Sequence, residues 1–320
     1  MAVLHPLECY LLETFSSAEH FAATRDAIID WIDAHEAAYA RLQSNLDPRQ
    51  RNKPQWQQAD VVWGSRVLPN IRPDRDFYIK AYIQRTHNDP LAFNAGRAMS
   101  SNIRGMRDCW SDWMTEEEER IVSLTMRKAT KLDDRLGNTA KGSWEEGDLT
   151  YNGQDRVYRV AELPQRIPRY VLDPSVRIEK HERPKQIGIY LPDVDFAPAR
   201  FLYPSEWVEG GEQVRCGVTR STWVNPNTGE RDYDWKQDER IETGWTLIRR
   251  VEGEFIDVPE RGFFPKGEPD ELYTWPERET QTTPPPPSHR RCTWQPQQTA
   301  HHAIPPNKIT YSPCAPEAAG

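Results

Sequence analysis

The side chains that could do chemistry in this chain are mostly carboxylates. Asp193 and Asp195 stand two apart, the spacing of a pair leaving one face of a strand, and a pair of this kind can serve acid–base work. Both lie between Pro192 and Pro198, so a surface turn whose carboxylates accept backbone hydrogen bonds is the plainer expectation. A denser acidic set, Glu230, Asp232, Asp234, Asp238 and Glu239, follows in the same half of the chain. His289, Cys292, His301, His302 and Cys314 have metal-ligating side chains, but their spacing matches no zinc ribbon or finger. His87 and His181 have no Ser or Cys at a recognisable offset, so no nucleophile triad is supported. Gly188 and Gly210-Gly211 lack the strand–loop–helix context of a phosphate site. No cofactor, metal or catalytic set is therefore expected, and the chemistry falls to surfaces.

Charge is unevenly spread over the 320 residues, whose formal net is −8. Residues 1–141 hold 19 basic and 20 acidic side chains, close to balance. Residues 205–282 hold 10 basic and 18 acidic, a net of −8 in that segment alone. Such a surface repels nucleic-acid backbones and attracts basic proteins. Met1–Tyr10 carries no basic n-region and no long apolar run, and no stretch of 18 apolar residues follows, which points to a cytoplasmic, non-membrane protein. Five scattered cysteines, Cys9, Cys109, Cys216, Cys292 and Cys314, fit reduced thiols better than a disulfide framework.

The elements that must position these groups divide the chain into three. Over 1–140 the apolar period is helical. Ser16-Ser17-Ala18-Glu19 has the form of a capping box, and Phe21, Ile28, Ile32, Tyr39 and Leu42 line one face of the helix behind it. Pro54 opens a second helix with Trp56, Ala59, Trp63 and Val67 inward, ended by Pro69. Pro73 opens a third, with Phe77, Tyr78, Ala81 and Tyr82 inward. A central helix over Pro90–Trp113 is packed by Phe93, Met99, Ile103, Met106, Trp110 and Trp113, with Ala95 and Gly96 leaving one flank open to close approach. Thr115–Glu118 caps a fifth, with Ile121, Leu124, Ala129, Leu132 and Leu136 inward and Gly137 or Asn138 as its end. The tryptophans at 56, 63, 110 and 113 are expected in the core, and the Glu116–Glu119 run in a solvated first turn.

Over 141–280 the period shifts to two. Strands are expected at Arg156–Val160, Gln186–Leu191, Arg200–Tyr203, Ser221–Val224, Arg231–Trp235 and Gly244–Val251, with hairpin chemistry at Asn225–Gly229 and room for a helix near Pro204–Trp207. Residues 281–320 are Pro-rich and poor in aliphatic side chains, the composition of a flexible tail. The fold class is α+β: a bundle of about five helices, a small β-rich domain as sheet or barrel, and the tail.

Three strings, Ile187-Gly188-Ile189-Tyr190-Leu191-Pro192-Asp193-Val194-Asp195, Ala199-Arg200-Phe201-Leu202 and Thr243-Gly244-Trp245-Thr246-Leu247-Ile248-Arg249-Arg250-Val251, together resemble large bacterial immunity proteins encoded beside polymorphic toxins, especially those of type VI secretion (immunity families seventy-one and seventy-two). Members often end in a Pro-rich stretch with a Cys-Pro element, where this chain has Tyr311-Ser312-Pro313-Cys314 in altered order. The resemblance implies a non-enzymatic function, stoichiometric binding and neutralisation of one secreted toxin in the cytoplasm. Asp193, Asp195, Glu230, Asp232, Asp234, Asp238 and Glu239 are then the partner-interface candidates, suited to a basic toxin such as a nuclease. An effector-binding adaptor or chaperone of a secretion system is the alternative, followed by a hydrolase with a dispersed carboxylate site.

Overall fold

The computed structural model describes residues 4–95, 98–109, 112–144, 148–150, 163–194, 197–204, 213–216, 220–224, 231–235, 239–260 and 263, with strands between 213 and 241 described at the level of backbone pairing. Six helical segments are present among them: α1 (Pro6–Phe15), α2 (Ala18–Ser44), α3 (Ala59–Val62), α4 (Leu68–Thr86), α5 (Ala98–Met106) and α6 (Glu116–Ala140). A π-helical turn over Trp63–Val67 joins α3 to α4 in one continuous rod. The α+β class and the bundle of about five helical rods hold as expected.

Several expected helix limits move, each for a local reason. α1 is an unexpected element: His5 is its N-cap, accepting from the Leu7 amide at 3.2 Å, and Pro6 opens it. Because Ser16 closes α1, the N-cap of α2 is Ser17, which accepts from the His20 amide at 3.1 Å. Pro69 does not end the second helix, and Pro73 does not open a third. A proline ring clashes with the carbonyl four residues back in a regular helix. The widened turn over Trp63–Val67, with the Leu68 amide bonded to Trp63, lies across that position behind Pro69, while Pro73 is carried inside α4, and the rod continues to Thr86. The central helix expected over Pro90–Trp113 is instead a 3₁₀ turn, Pro90–Asn94, followed by the short α5; Gly96 and Trp110 lie outside the described residues. The box at Thr115 and Glu118 forms as expected, but α6 passes Gly137 and closes at Lys141, with Gly142 beyond it at φ +56°.

The bundle is centred on α2, which packs against both α4 and α6. Of its expected stripe, Phe21, Ile28, Ile32 and Leu42 are buried and Tyr39 is partly buried, and Trp31, His35 and Ala38 join them. On α6 the inward line is Val122, Met126, Ala129, Asp133, Leu136 and Ala140, spaced four and three apart, the first two partly buried and the rest buried, so Ile121 and Leu124 fall on the outer side and are 40 % and 50 % exposed. Phe77, expected inward on the rod, is likewise 40 % exposed, whereas Tyr78 and Ala81 are buried.

Eight strands are present among the described residues: β1 (Arg166–Ile178), β2 (Gly188–Pro192), β3 (Arg200–Leu202), β4 (Gln213–Cys216), β5 (Arg220–Val224), β6 (Arg231–Trp235), β7 (Glu239–Glu242) and β8 (Trp245–Asp257). β1, β8, β2 and β3 form, in that order, an antiparallel open sheet. Between β3 and β8 the chain makes two nested ribbons, β4 with β7 and β5 with β6. The hairpin expected around Asn225–Gly229 pairs Val224 with Arg231. β1 was hidden from the pattern by Pro168 and Pro174, which an edge strand tolerates; the register shifts beside both. The strand expected at Arg156–Val160, the helix near Trp207 and the Pro-rich residues 281–320 lie outside the described residues.

The helical and β-rich segments, expected to separate near residue 140, share one core within a compact unit spanning Met1–Gln281. α1 lies against β1, β2 and β3, so Leu7, Leu12 and Phe15 join Ile189, Leu191, Phe201 and Ile248 of the sheet's inner face. The opposite face carries a second cluster, Ile178, Tyr190, Leu202, Trp245 and Leu247. With both faces covered, β2 is buried nearly throughout.

Buried histidines make the fold acid-sensitive. Burial pushes His5 down to about 3 and His20 to about 4, from an ordinary value of 6.5. Both are neutral when folded, so their contribution is complete above pH 6.5 and is lost as pH falls through the interval below it. Urea denaturation at pH 7 and pH 5 is expected to show a loss of about 2 kcal/mol per histidine. His20→Gln, which keeps a donor for the Leu132 carbonyl, should reduce that loss by one such share.

Candidate functional site

Between the α3–α4 rod and α5 the surface opens into a groove of about 750 Å³. One wall is Val62, Ser65, Arg66, Val67, Asn70 and Ile71 of the rod; the other is Ser101, Asn102, Gly105, Met106, Asp108 and Cys109. Lys53, Trp56 and Gln57, from the turns ahead of α3, form the lip. Trp56, expected in the core, is 68 % exposed there.

Local interactions set each part in place. Arg51 grips the Asp60 carboxylate with both guanidinium nitrogens (3.0 and 2.7 Å) and donates to Gln58, whose amide donates to the Lys53 carbonyl. These bonds fasten the lip to the first turn of the rod, and the Arg51 guanidinium lowers the pKa of Asp60. Tyr39 of α2 donates to the Asp60 carbonyl at 3.0 Å, and a Cβ built on Gly64 would stand 2.2 Å from that hydroxyl. A side chain at this position would have to displace the Tyr39 hydroxyl. Below the turn, Trp63 stacks on His35 (5.3 Å, 22°) and meets the edge of Trp113 at 5.2 Å. His35 donates from Nδ1 to the Trp31 carbonyl, and burial lowers its pKa. Arg41 holds Trp113 by donating to its carbonyl at 3.0 Å, and holds Glu118 with two further bonds. The rod is therefore braced from beneath by an aromatic stack that runs from α2 to Trp113, in the chain beyond α5.

A polar thread leads from the α5 wall inward. Asn102 donates to Asp74 at 2.7 Å, and burial raises the pKa of Asp74. One turn along the rod, Tyr78 donates to the buried Asp133 of α6. Cys109 lines the groove as a thiol whose pKa burial pushes up, which disfavours the reactive thiolate. Among the described residues no group of His, Cys, Asp or Glu could hold a metal, and no helix is long and apolar enough to cross a membrane.

Among the described residues, none of the acidic side chains singled out from the sequence lines this groove. Asp193, at the end of β2, is engaged within the sheet: its carboxylate takes Arg177 at 2.6 Å, and its amide donates to the Gly244 carbonyl at 3.0 Å. Arg177 also donates to Thr246 at 2.8 Å, and a Cβ on Gly244 would stand 2.5 Å from the Asp193 carboxylate. The Pro-Asp of one string and the Gly-Trp of another are thus a single interlocked corner of the β2–β8 pair, where Pro192 is in register with Trp245. Asp232 and Asp234 lie on β6, in register with Trp223 and Ser221, and Glu239 lies on β7 in register with Cys216. Asp195, Glu230 and Asp238 lie outside the described residues. The groove residues escaped the sequence reading because Pro69 divided the rod in two and Trp56 fitted a buried stripe; the adjacent Gly64-Ser65 was the available signal that the rod's packing is unusual here.

Gly64→Ala should cost about 1–3 kcal/mol by overpacking, and much less when combined with Tyr39→Phe, as measured by a double-mutant cycle in urea. Asp193→Ala should lower stability by about 1–2 kcal/mol through its lost bonds to Arg177, measured in the same way. No family model matches this chain, nor does any curated protein or solved structure.

Proposed function

We propose that the protein is an immunity protein, which binds a cognate secreted toxin in the cytoplasm and neutralises it as a stoichiometric complex without turnover. The observation that carries this reading is Trp56 standing 68 % exposed on the lip of a groove that also offers Arg66 and Met106. Trp, Arg and Met are the side chains over-represented where protein interfaces hold their binding energy, and a tryptophan left in water beside an apolar floor gains most when a partner covers it. The resemblance of the β2, β3 and β8 strings to toxin-immunity proteins supports the same class. The acidic segment 205–282, with its net of −8, supports a basic partner, because opposite charge speeds encounter and rejects wrong partners.

Co-expression with the protein encoded by the neighbouring reading frame tests this directly. Wild type should form a one-to-one complex and protect cells. Reversing Glu230, Asp232, Asp234, Asp238 and Glu239 together should slow association by about tenfold or more at low salt, with the difference shrinking as salt is raised, and should increase toxin sensitivity. Trp56→Ala should speed dissociation instead. Equal protection by the charge-reversed protein at equal expression removes the steering role. A tight complex that leaves the toxin active replaces immunity with the adaptor reading.

A further inference from the structure

We infer that the groove between the α3–α4 rod and α5 receives a helical segment of the bound toxin, apolar on one face and acidic along one flank. This rests on the immunity reading and names what that interface grips. The walls are themselves helices whose main-chain groups are satisfied internally, so the groove offers no strand edge for an extended peptide to extend. Its recognition must come from side chains, as when an amphipathic helix is laid into a cleft.

The walls are shaped for such a guest. Ser65, Ser101 and Gly105 are small, and a Cβ added to Gly105 meets nothing within 4 Å, so the α5 wall stands open there. Small residues on facing helices allow a third helix to approach to the roughly 8–10 Å between packed axes. Beneath them, Val67 and Ile71 form a buried apolar floor, and Met106 supplies an unbranched side chain able to fit an irregular partner.

Charge selects the flank. Lys53 and Arg66 lie among the lining residues against one carboxylate, Asp108. Arg51, Arg72 and Arg75, on the lip and the rod, each hold a carboxylate of the same chain. Arg66 makes no ion pair among the described residues. A guanidinium left without an ion pair above an apolar floor favours a guest that brings its own carboxylate. The contact is therefore opposite in sign to the acidic segment, and the two surfaces would hold a toxin by different features.

The experiment uses the full chain and the protein encoded by the neighbouring reading frame, with circular dichroism confirming that each variant is folded. Gly105→Ala should bind as wild type does, whereas Gly105→Phe, which fills the cleft from the same position, should weaken binding by roughly 100-fold, the scale of a lost central anchor. Arg66→Glu should weaken it by about tenfold and be rescued by replacing the toxin segment's flanking acid with Lys. In a measurement on wild type alone, peptides of about 18 residues, or five helical turns, tiling the toxin should compete for the complex. The expected competitor has apolar residues at helical spacing and Asp or Glu beside them. Unchanged binding by folded Gly105→Phe, or a competitor that is basic or proline-rich, overturns this inference and leaves immunity standing. Failure of wild type to bind the toxin at all overturns both.

Discussion

Two carboxylates on α1 tie the helical layer to the sheet, and the rest of the molecule is arranged around that tie. Glu8, almost fully buried, accepts the Ala199 amide at 2.9 Å just ahead of β3. Glu13, less than two turns further on, accepts from Tyr170 of β1 at 2.5 Å and from Arg250 of β8 at 2.8 Å. A buried amide without an acceptor costs about 1–3 kcal/mol, so Glu8 is specified by the backbone it serves. Between these anchors the apolar side chains of α1 complete the inner face of the sheet while touching α2 and α6. The short helix acts as the common layer of a single core.

Around this layer, rigidity and exposure are distributed unequally. The bundle is cross-braced at its surface by ion pairs, including Arg72 with Glu36, Arg75 with Asp33 and Lys128 with Asp30. Exposed pairs of this kind contribute little each, so the bracing depends on the core beneath them. There, Trp31, His35, Trp63 and Trp113 form a continuous aromatic path. That path reaches the rod at the π turn and the chain beyond α5 at Trp113. The groove is held in shape from below while its lip and walls remain open, the arrangement a preformed binding surface needs. π turns concentrate at functional sites because they displace side chains from the regular helical phase. Here the turn sets Arg66 and Ser65 toward the groove while keeping Trp63 in the core.

Much of the fold was legible because it is written in local periods. The stripe of α2, the Thr115–Glu118 cap and the β5–β6 hairpin each depend on residues close in sequence, and each formed as expected. The misreadings have equally specific causes. Asp133 occupies the buried line of α6 because Tyr78 donates to it, and that polar residue turned the apparent stripe toward Ile121 and Leu124. α1 is buried on most of its circumference because both layers cover it, the carboxylate of Glu8 included, so its sequence shows no clean division into apolar and polar faces. Prolines concealed the rod and β1, since their usual punctuation was cancelled by a π turn in one case and by register shifts at an edge in the other.

By itself, the sequence determined the α+β class, the change from helical to extended segments after residue 140, the Thr115–Glu118 cap that needs only near neighbours, and the concentration of negative charge after residue 205. Tertiary structure alone decided which face of each helix is buried, that helices and sheet share one core, that Asp193 belongs to Arg177 rather than to solvent, and that Trp56 stands at the mouth of a groove. The physical reason is one of range. Periodicity and capping express interactions within a few residues of chain, whereas burial, pairing and exposure depend on which distant surfaces arrive, and the residues of one segment do not encode that arrival.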